Sequence, residues 1–307
     1  MDDDLQRRAR SFGGVADAYD RGRPSYPDDA VSWLLGTDLR GGTDDRPLSV
    51  LELGAGTGKL TERLVALGHD VHATEPDEHM LAILRDRLPG VRTSRTGAEE
   101  IPLADRSVDV VVAAQCLHWF DPETAFAEIA RVLRPGGHLA AAWNVRDERI
   151  PWVRRLGRII GTQDTTATVA TTLSGLEEFA EVDEASFKHW QVVDRRSIQD
   201  LARSRSNVAV LDDAAREQLL ADVLALYDDY GRGMDGMQLP YLTRCYRTVV
   251  ADRPEPVAVE PEPVEPPFEP TVPIALAGDD PMHDSADTIP RVAAGLDDTG
   301  TLLIDFR

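Results

Sequence analysis

The segment Ser49–Lys59 constrains the fold of this chain more than any other stretch. Its first half is apolar apart from Glu52 and predicts a short buried strand. Three glycines at alternate positions, Gly54, Gly56 and Gly58, follow at once, and they allow the backbone to turn sharply without side chains in its path. A strand that runs into a bare-backbone turn at a helix N-terminus is the arrangement with which open α/β sheets hold a nucleoside-containing ligand.

The chain after this turn alternates between strand and helix patterns. We expect Thr57 to cap the helix that follows the turn and Pro76 to take the first position of the next helix. Residues 212–230 are expected to form a long helix. Pro240 lies in the last strand, 238–250, which we therefore expect to be at an edge or bulged there. The alternation predicts an α/β fold, with a parallel sheet and helices on both of its faces. Further strands are predicted at residues 70–74, 91–96, 108–114, 138–143 and 187–193.

Composition excludes several classes of function. The chain has 307 residues and a formal net charge of −21, which disfavours nucleic acids and anionic membranes as partners. Its apolar stretches are too short to cross a membrane, and its acidic start does not resemble a signal peptide. Two cysteines do not make a disulfide framework, and no spacing of Cys, His or carboxylates predicts a metal site. We expect a cytoplasmic protein.

Two acidic residues and one lysine indicate which class of ligand the glycine turn binds. Lys59 stands where a dinucleotide-binding turn has its last glycine. Glu52, directly before the turn, would repel a pyrophosphate but attract an α-ammonium group. Glu75, at the end of the second strand, can accept two hydrogen bonds from the vicinal hydroxyls of a ribose. Together they favour S-adenosylmethionine over NAD, which stays open as a weaker alternative because Glu75 suits either ligand.

At this point the sequence resembles a known family. The segments Leu51–Gly58, Glu75–Asp77, Gly97–Glu99 and Arg131–Gly137 resemble those of class I S-adenosylmethionine-dependent methyltransferases, most closely the type 11 group that includes ubiquinone and menaquinone biosynthesis enzymes. Tyr19–Pro27 and His118–Phe120 resemble segments of a small-molecule branch. The resemblance implies a Rossmann-like sheet of seven strands, with an antiparallel seventh strand between the fifth and the sixth.

The same resemblance implies the cofactor site. Glu52 and the glycine turn would surround the methionine part, Glu75 would bind the ribose, and Met80 would pack on the adenine. The family often has Asp at the position of Gly97, so adenine selectivity would rest on backbone groups or on Glu99. The cofactor-binding residues expected in this way are Glu52, Gly54, Ala55, Gly56, Thr57, Gly58, Glu75, Pro76, Met80, Gly97, Ala98, Glu99 and Gln115.

The acceptor site is less defined by sequence. His118 is the candidate general base; the alternative is a structural histidine that packs beside Trp119. Trp119 is itself either a substrate-binding wall of the acceptor pocket or a core residue. Tyr19, Arg23 and Tyr26 are the candidate substrate-binding lid, weighed against an N-terminal arm packed over the sheet. Arg23 could pair with the cofactor carboxylate or with an anionic acceptor. Arg203 and Arg205 are weaker candidates for an acidic acceptor, and Cys116 is expected to be a small buried residue.

The sequence thus predicts transfer of a methyl group to the O or N atom of a small molecule, a carboxylate included. A catalytically silent cofactor-binding scaffold is the alternative. Residues 1–250 are predicted to form the methyltransferase domain, 251–270 a Pro- and Glu-rich acidic linker, and 271–307 an acidic tail for which we leave a protein partner open.

Overall fold

The computed structural model describes residues 15–37, 46–162, 169–176, 178–231 and 236–251 of the chain. Nearly all of the predicted linker and the whole predicted tail lie outside these residues, so their boundaries stay predictions. Within the described residues no helix is long and apolar enough to cross a membrane.

One sheet of seven strands organises the described residues, in the spatial order β3-β2-β1-β4-β5-β7-β6. The first five strands pair in parallel. β7 runs antiparallel to both of its neighbours, so it is the antiparallel strand that the resemblance placed between the fifth and the sixth. The strands are β1 (Ser49–Leu53), β2 (Asp70–Thr74), β3 (Arg92–Ser94), β4 (Val108–Ala114), β5 (Leu133–Arg146), β6 (Asp183–Val193) and β7 (Met237–Val249).

Helices cover both faces of the sheet, as a parallel sheet that is buried on both sides requires. In chain order they are α1 (Ala16–Gly22), α2 (Asp28–Leu34), α3 (Thr61–Ala66), α4 (Glu78–Arg87), α5 (Pro122–Val132), α6 (Pro151–Ile160), α7 (Val169–Ser174), α8 (Arg195–Arg203), α9 (Ser206–Ala209) and α10 (Asp213–Tyr230), and a 3₁₀ turn spans Leu117–Trp119.

Alternate side chains of the central strands supply two separate cores. Leu51 and Val111 pack on the face that α5 covers, with Phe126. Val50 and Val110 pack on the opposite face, which α2 and α3 cover. A third cluster joins α6, α8 and α10 to the adjoining ends of β6 and β7. The sheet is thereby fixed from both sides, and the carboxyl ends of its parallel strands meet at one edge.

Two local expectations were wrong, and a third, for Pro240, holds at that residue although its strand is internal. α3 begins at Thr61, so Thr57 lies inside the turn and caps nothing. α4 begins at Glu78 because the Asp77 carboxylate accepts the N–H groups of residues 79 and 80, which leaves Pro76 outside the helix. β7 is an internal strand, but Pro240 is accommodated because pairing with β5 starts one residue later, at Tyr241. At Pro240 itself only β6 is paired in register.

Candidate active site

The glycine turn has the left-handed backbone that its sequence predicts. Gly54, Gly56 and Gly58 have φ angles of 62°, 59° and 85°, values that side chains with a Cβ adopt only under strain. A Cβ on Gly54 would also lie 2.8 Å from the Cys116 sulfur. The Cys116 thiol donates to the Leu53 carbonyl at 3.2 Å, and burial raises its pKa well above the usual value. Cys116 is therefore a packing residue of the turn and is not a reactive thiol.

Glu75 fixes the turn from the neighbouring strand. Its Oε2 accepts the Gly56 N–H at 2.8 Å and its Oε1 accepts the Asp77 N–H at 2.9 Å. Burial raises the pKa of this carboxyl, and the two backbone donors oppose that rise. Since a carboxylate oxygen can accept more than one hydrogen bond, each oxygen keeps capacity for a further donor.

Glu52 is a second buried carboxyl at the base of the turn, with 1% of its surface exposed. Its Oε2 accepts the Thr61 hydroxyl at 2.6 Å. Burial raises its pKa to about 8, and the nearby charge of Glu75 adds to the rise. No basic side chain forms an ion pair with Glu52 or Glu75 among the described residues. The base of the site is thus acidic and lacks a counter-charge of its own.

The next loop along the same edge places an acidic group over Gly97. A Cβ at Gly97 would lie 2.5 Å from Glu99 Oε2, so the Glu99 carboxylate occupies the space beside Gly97 that a larger side chain would fill. Its Oε1 accepts the Asp121 N–H at 3.0 Å. Ala98 and Met80 are buried, whereas Pro76 is exposed. Glu99 therefore fills the space that the side chain of an Asp at position 97 would occupy.

Gln115 connects the ends of β4 and β5. It has a positive φ of 64°, its N–H donates to the Ala142 carbonyl at 2.9 Å, and its Nε2 lies 3.5 Å from the Asn144 carbonyl. Asn144 is buried and donates to the Ser25 carbonyl at 3.1 Å. This chain of contacts joins the sheet edge to the segment that precedes α2.

The N-terminal arm, residues 16–27, covers the turn. A Cβ on Gly56 would lie 3.7 Å from the Tyr19 ring, and the Arg23 guanidinium lies 5.1 Å from the centroid of that ring. Burial raises the pKa of Tyr19 and of Tyr26, and nearby Glu52 adds to both shifts. The structure therefore brings all three arm residues to the acidic base of the site.

His118 and Trp119 lie on the 3₁₀ turn after β4, at the same edge. Their ring centroids are 4.5 Å apart. The His118 side chain is exposed at its surface. The neighbouring protein shields the ring from part of the water that would solvate its charged form, and this desolvation lowers its pKa. The imidazole is therefore neutral at pH 7 and a weaker base than an unperturbed histidine.

Sequence reasoning missed four residues of this edge: Thr61, Asn144, Arg146 and Tyr241. Arg146 and Tyr241 face each other in register on β5 and β7, and both are buried. Tyr241 lies in the predicted last strand, whereas Arg146 lies beyond the predicted fifth strand, 138–143. Two residues so far apart in the sequence can be paired only once the strand order is known. The unusual polarity of Asn144 and Arg146 at the end of an apolar strand was the available signal.

Comparisons with known proteins agree with this geometry. A family profile described as "Methyltransferase domain", type 11, matches residues 51–141. An uncharacterized methyltransferase of Mycobacterium tuberculosis is 44% identical over 243 residues, which cover 78% of this chain and 96% of the relative. The chain belongs to the type 11 S-adenosylmethionine-dependent methyltransferases.

Two further likenesses place the methyltransferase among its relatives. A Mycolicibacterium smegmatis protein, provisionally named an S-adenosylmethionine-dependent methyltransferase, is 32% identical and the match covers 59% of this chain and 72% of that protein. A solved structure from Anaeromyxobacter dehalogenans, provisionally named a type II methyltransferase, has a TM-score of 0.54 and 25% identity, with 74% of this chain and 97% of that chain covered.

The residues at the sheet edge fit S-adenosylmethionine, the cofactor of this methyltransferase. The ligand carries an ammonium and a sulfonium, and the site has two buried carboxyls without a counter-charge. The Thr57 hydroxyl is buried and has no hydrogen-bond partner among the described residues. Both observations are accounted for by a polar, cationic ligand on the turn.

Proposed function

We propose that this methyltransferase transfers the methyl group of S-adenosylmethionine to an O or N atom of a small-molecule acceptor, by in-line displacement. The cofactor supplies an activated methyl group on a good leaving group. The contribution of the chain is then to align the acceptor and to exclude water. Oxidoreductase chemistry with NAD is not supported, since the chain belongs to a methyltransferase family and has Glu52 at the turn.

The position of the N-terminal arm over the glycine turn is the observation that supports a small-molecule acceptor. Arg21 pairs with Asp200 of α8 at 2.8 Å, and Arg23 donates to the hydroxyl and the carbonyl of Ser204 at 2.8 and 2.9 Å. Gln191 donates to the Gly22 carbonyl at 2.9 Å. An arm held at three places over the turn obstructs a macromolecular acceptor, which favours a small molecule. The net charge of −21 also argues against a polyanionic substrate.

We assign the cofactor contacts as follows. Glu75 would accept the ribose hydroxyls, since each of its oxygens has remaining acceptor capacity. Glu52 would face the cationic methionine part across the glycine turn. Glu99 and the Ala98 N–H would read the adenine edge, and Met80 would pack against the base.

The proton balance favours an acceptor that is already deprotonated at neutral pH. Glu52 and Glu75 are assigned to the cofactor, and His118 is a weakened base on the exposed rim of the site. A carboxylate needs no base before it attacks the methyl group, whereas a protonated amine does. His118 is thus proposed to position the acceptor or to accept a proton only where the acceptor requires it.

Transfer of a labelled methyl group tests the proposal. The protein is incubated with methyl-labelled S-adenosylmethionine and separate pools of carboxylic acids, phenols and amines, and extracted products are counted. We expect one pool to be labelled at a rate that increases with enzyme concentration. Binding of S-adenosylhomocysteine without labelling of any pool would instead favour the silent scaffold. Calorimetry that detects NADH and not S-adenosylhomocysteine would refute the cofactor.

A further inference from the structure

Three arginine side chains meet beside the proposed cofactor site, at the end of β5. Arg146 is the last residue of β5, Arg205 follows α8, and Arg23 belongs to the N-terminal arm. Only 3% of the surface of Arg146 is exposed. Burial lowers the pKa of Arg205 to about 8, and the charges of Arg23 and Arg146 contribute to that fall. Arg146 and Arg205 donate to the carbonyls of the adjacent residues 161 and 162, and Arg23 donates to Ser204, which directly precedes Arg205. We call these three arginines the arginine cluster.

The arginine cluster carries more positive charge than the carboxylates around it neutralise. Among the described residues its only ion pair joins Arg146 to Glu148, at 3.4 Å. The other hydrogen bonds of Arg146 and Arg205 go to the carbonyls of Gly161, at 2.6 Å, and Thr162, at 3.0 Å. The Nε groups of both arginines are buried and have no partner among the described residues. A buried cation without a counter-charge is costly unless a ligand supplies one.

Other arginines of this protein show the contrast. Arg134 and Arg46 both pair with Asp109, at 2.7 and 3.3 Å. Arg131 pairs with Glu128 at 2.6 Å and with Asp105 at 2.8 Å. These three arginines each pair with a carboxylate at 3.3 Å or less, whereas Arg23 and Arg205 pair with none among the described residues. The arginine cluster departs from that pattern.

The cluster also faces the reacting site. Arg23 lies over the Tyr19 ring, which covers the glycine turn. Arg146 follows Asn144 by two residues on β5, and Asn144 contacts Gln115. Tyr241, opposite Arg146, has its pKa raised to about 12 by burial, so its hydroxyl stays protonated. The site is thus acidic at the turn and basic at the cluster, with the tyrosines of the arm between.

We propose that Arg23, Arg146 and Arg205 bind a carboxylate of the methyl acceptor, so that the acceptor is an organic acid. Planar guanidinium groups match carboxylate geometry, and charge-assisted hydrogen bonds are the strong ones. The inference rests on the proposed function, whose acceptor class it names. Arg203, the other candidate from the sequence, is left out because its side chain is 40% exposed and already pairs with the buried carboxylate of Asp200, at 3.5 Å.

Calorimetry with stated acids tests this binding site. Acetate, succinate and citrate are titrated into the full-length protein saturated with S-adenosylhomocysteine, beside their amides as uncharged controls. We expect at least one acid to bind and its amide not to bind. Arg146→Gln and Arg205→Gln should weaken that binding about 10-fold or more. Arg155→Gln, on α6 and 48% exposed, is the matched control and should leave it unchanged. Arg205→Lys keeps the charge and should retain part of the affinity.

The outcomes separate this inference from the proposed function. Binding of no acid, or equal acid binding by the wild type and the cluster variants, would overturn the organic-acid assignment. A loss of S-adenosylhomocysteine affinity in Arg146→Gln and Arg205→Gln would show that the cluster holds the cofactor carboxylate and would also overturn it. In either case labelled-methyl transfer to a neutral acceptor would leave the proposed function intact. Thermal melting of each variant confirms that it is folded.

Discussion

The Glu75 carboxylate accepts one backbone hydrogen bond on each oxygen and retains capacity for two more. We expect Glu75→Ala to weaken binding of S-adenosylhomocysteine by about 1–3 kcal/mol, the usual range for lost hydrogen bonds to a charged group. Isothermal titration calorimetry measures the change. Glu78→Ala, three residues on and exposed, is the matched control and should bind like the wild type. Equal affinity of Glu75→Ala and the control would remove the ribose role.

We expect Glu52 to make cofactor binding depend on pH. Burial raises its pKa to about 8 in the free protein, and the ammonium group that S-adenosylhomocysteine shares with the methyl donor favours the ionised form. Binding near pH 7 should therefore release a proton, and the affinity for S-adenosylhomocysteine should increase as the pH rises from 6 to 8. Calorimetry in two buffers that differ in ionisation enthalpy measures the proton release. Glu52→Gln should abolish it; an unchanged buffer dependence in that variant would assign the proton to another group.

The same residue affects stability with a definite sign. The folded-state pKa of Glu52 lies above its ordinary value of 4.5, so the folded chain binds more protons than the unfolded chain between these values. The free energy of unfolding contributed by Glu52 should fall as the pH rises from about 4.5 through about 8. The free energy of unfolding of Glu52→Gln, compared with that of the wild type at the same pH, should therefore be higher at pH 9 than at pH 5. Urea denaturation at both pH values tests this, with the exposed Glu62→Gln as control.

At the scale of elements, the N-terminal arm and α8 act as one unit. The Asp200 side chain is 3% exposed and pairs with Arg21 of α1 and with Arg203 of its own helix. Removing its charge should therefore loosen the arm that covers the glycine turn. We expect Asp200→Asn to increase proteolytic cleavage of the arm and to weaken S-adenosylhomocysteine binding about 3–10-fold, a loss of about 1 kcal/mol. Asp213→Asn, 91% exposed, should change neither. Cleavage at the wild-type rate would contradict this role.

At the scale of the whole molecule, the seven strands are complete at Val249. A chain that ends at residue 251 should therefore fold and bind S-adenosylhomocysteine as the full chain does. A chain that ends at residue 236 lacks β7, the partner of both β5 and β6, and should not fold. Circular dichroism and calorimetry measure both. Loss of binding on removal of residues 252–307 alone would make them part of the folded domain and contradict the linker prediction.

Much of this architecture could be predicted from the sequence because the signals are local. Apolar runs and the glycine turn predicted β1, β2 and β4, and the long helix α10 begins and ends within a residue of its prediction. The roles of Thr57 and Pro76 were wrong because the choice of cap depends on competing neighbours such as Asp77. The sequence named Arg23 and Arg205 separately as candidates for an anionic acceptor. Their grouping with Arg146 was not predictable, since only the tertiary fold brings together residues from β5, the arm and the segment after α8.

The position of β7 has a consequence for how the chain folds during synthesis. Among the described residues β6 pairs with β7 and not with β5, so residues 183–193 leave the ribosome before the strand that they join. They acquire a partner only when residues 237–249 have followed them. The first five strands can pair in the order of translation, but the sheet edge that carries β6 must wait. We therefore expect the nascent chain to expose an unpaired strand for some fifty residues of elongation, when it is most prone to misassembly.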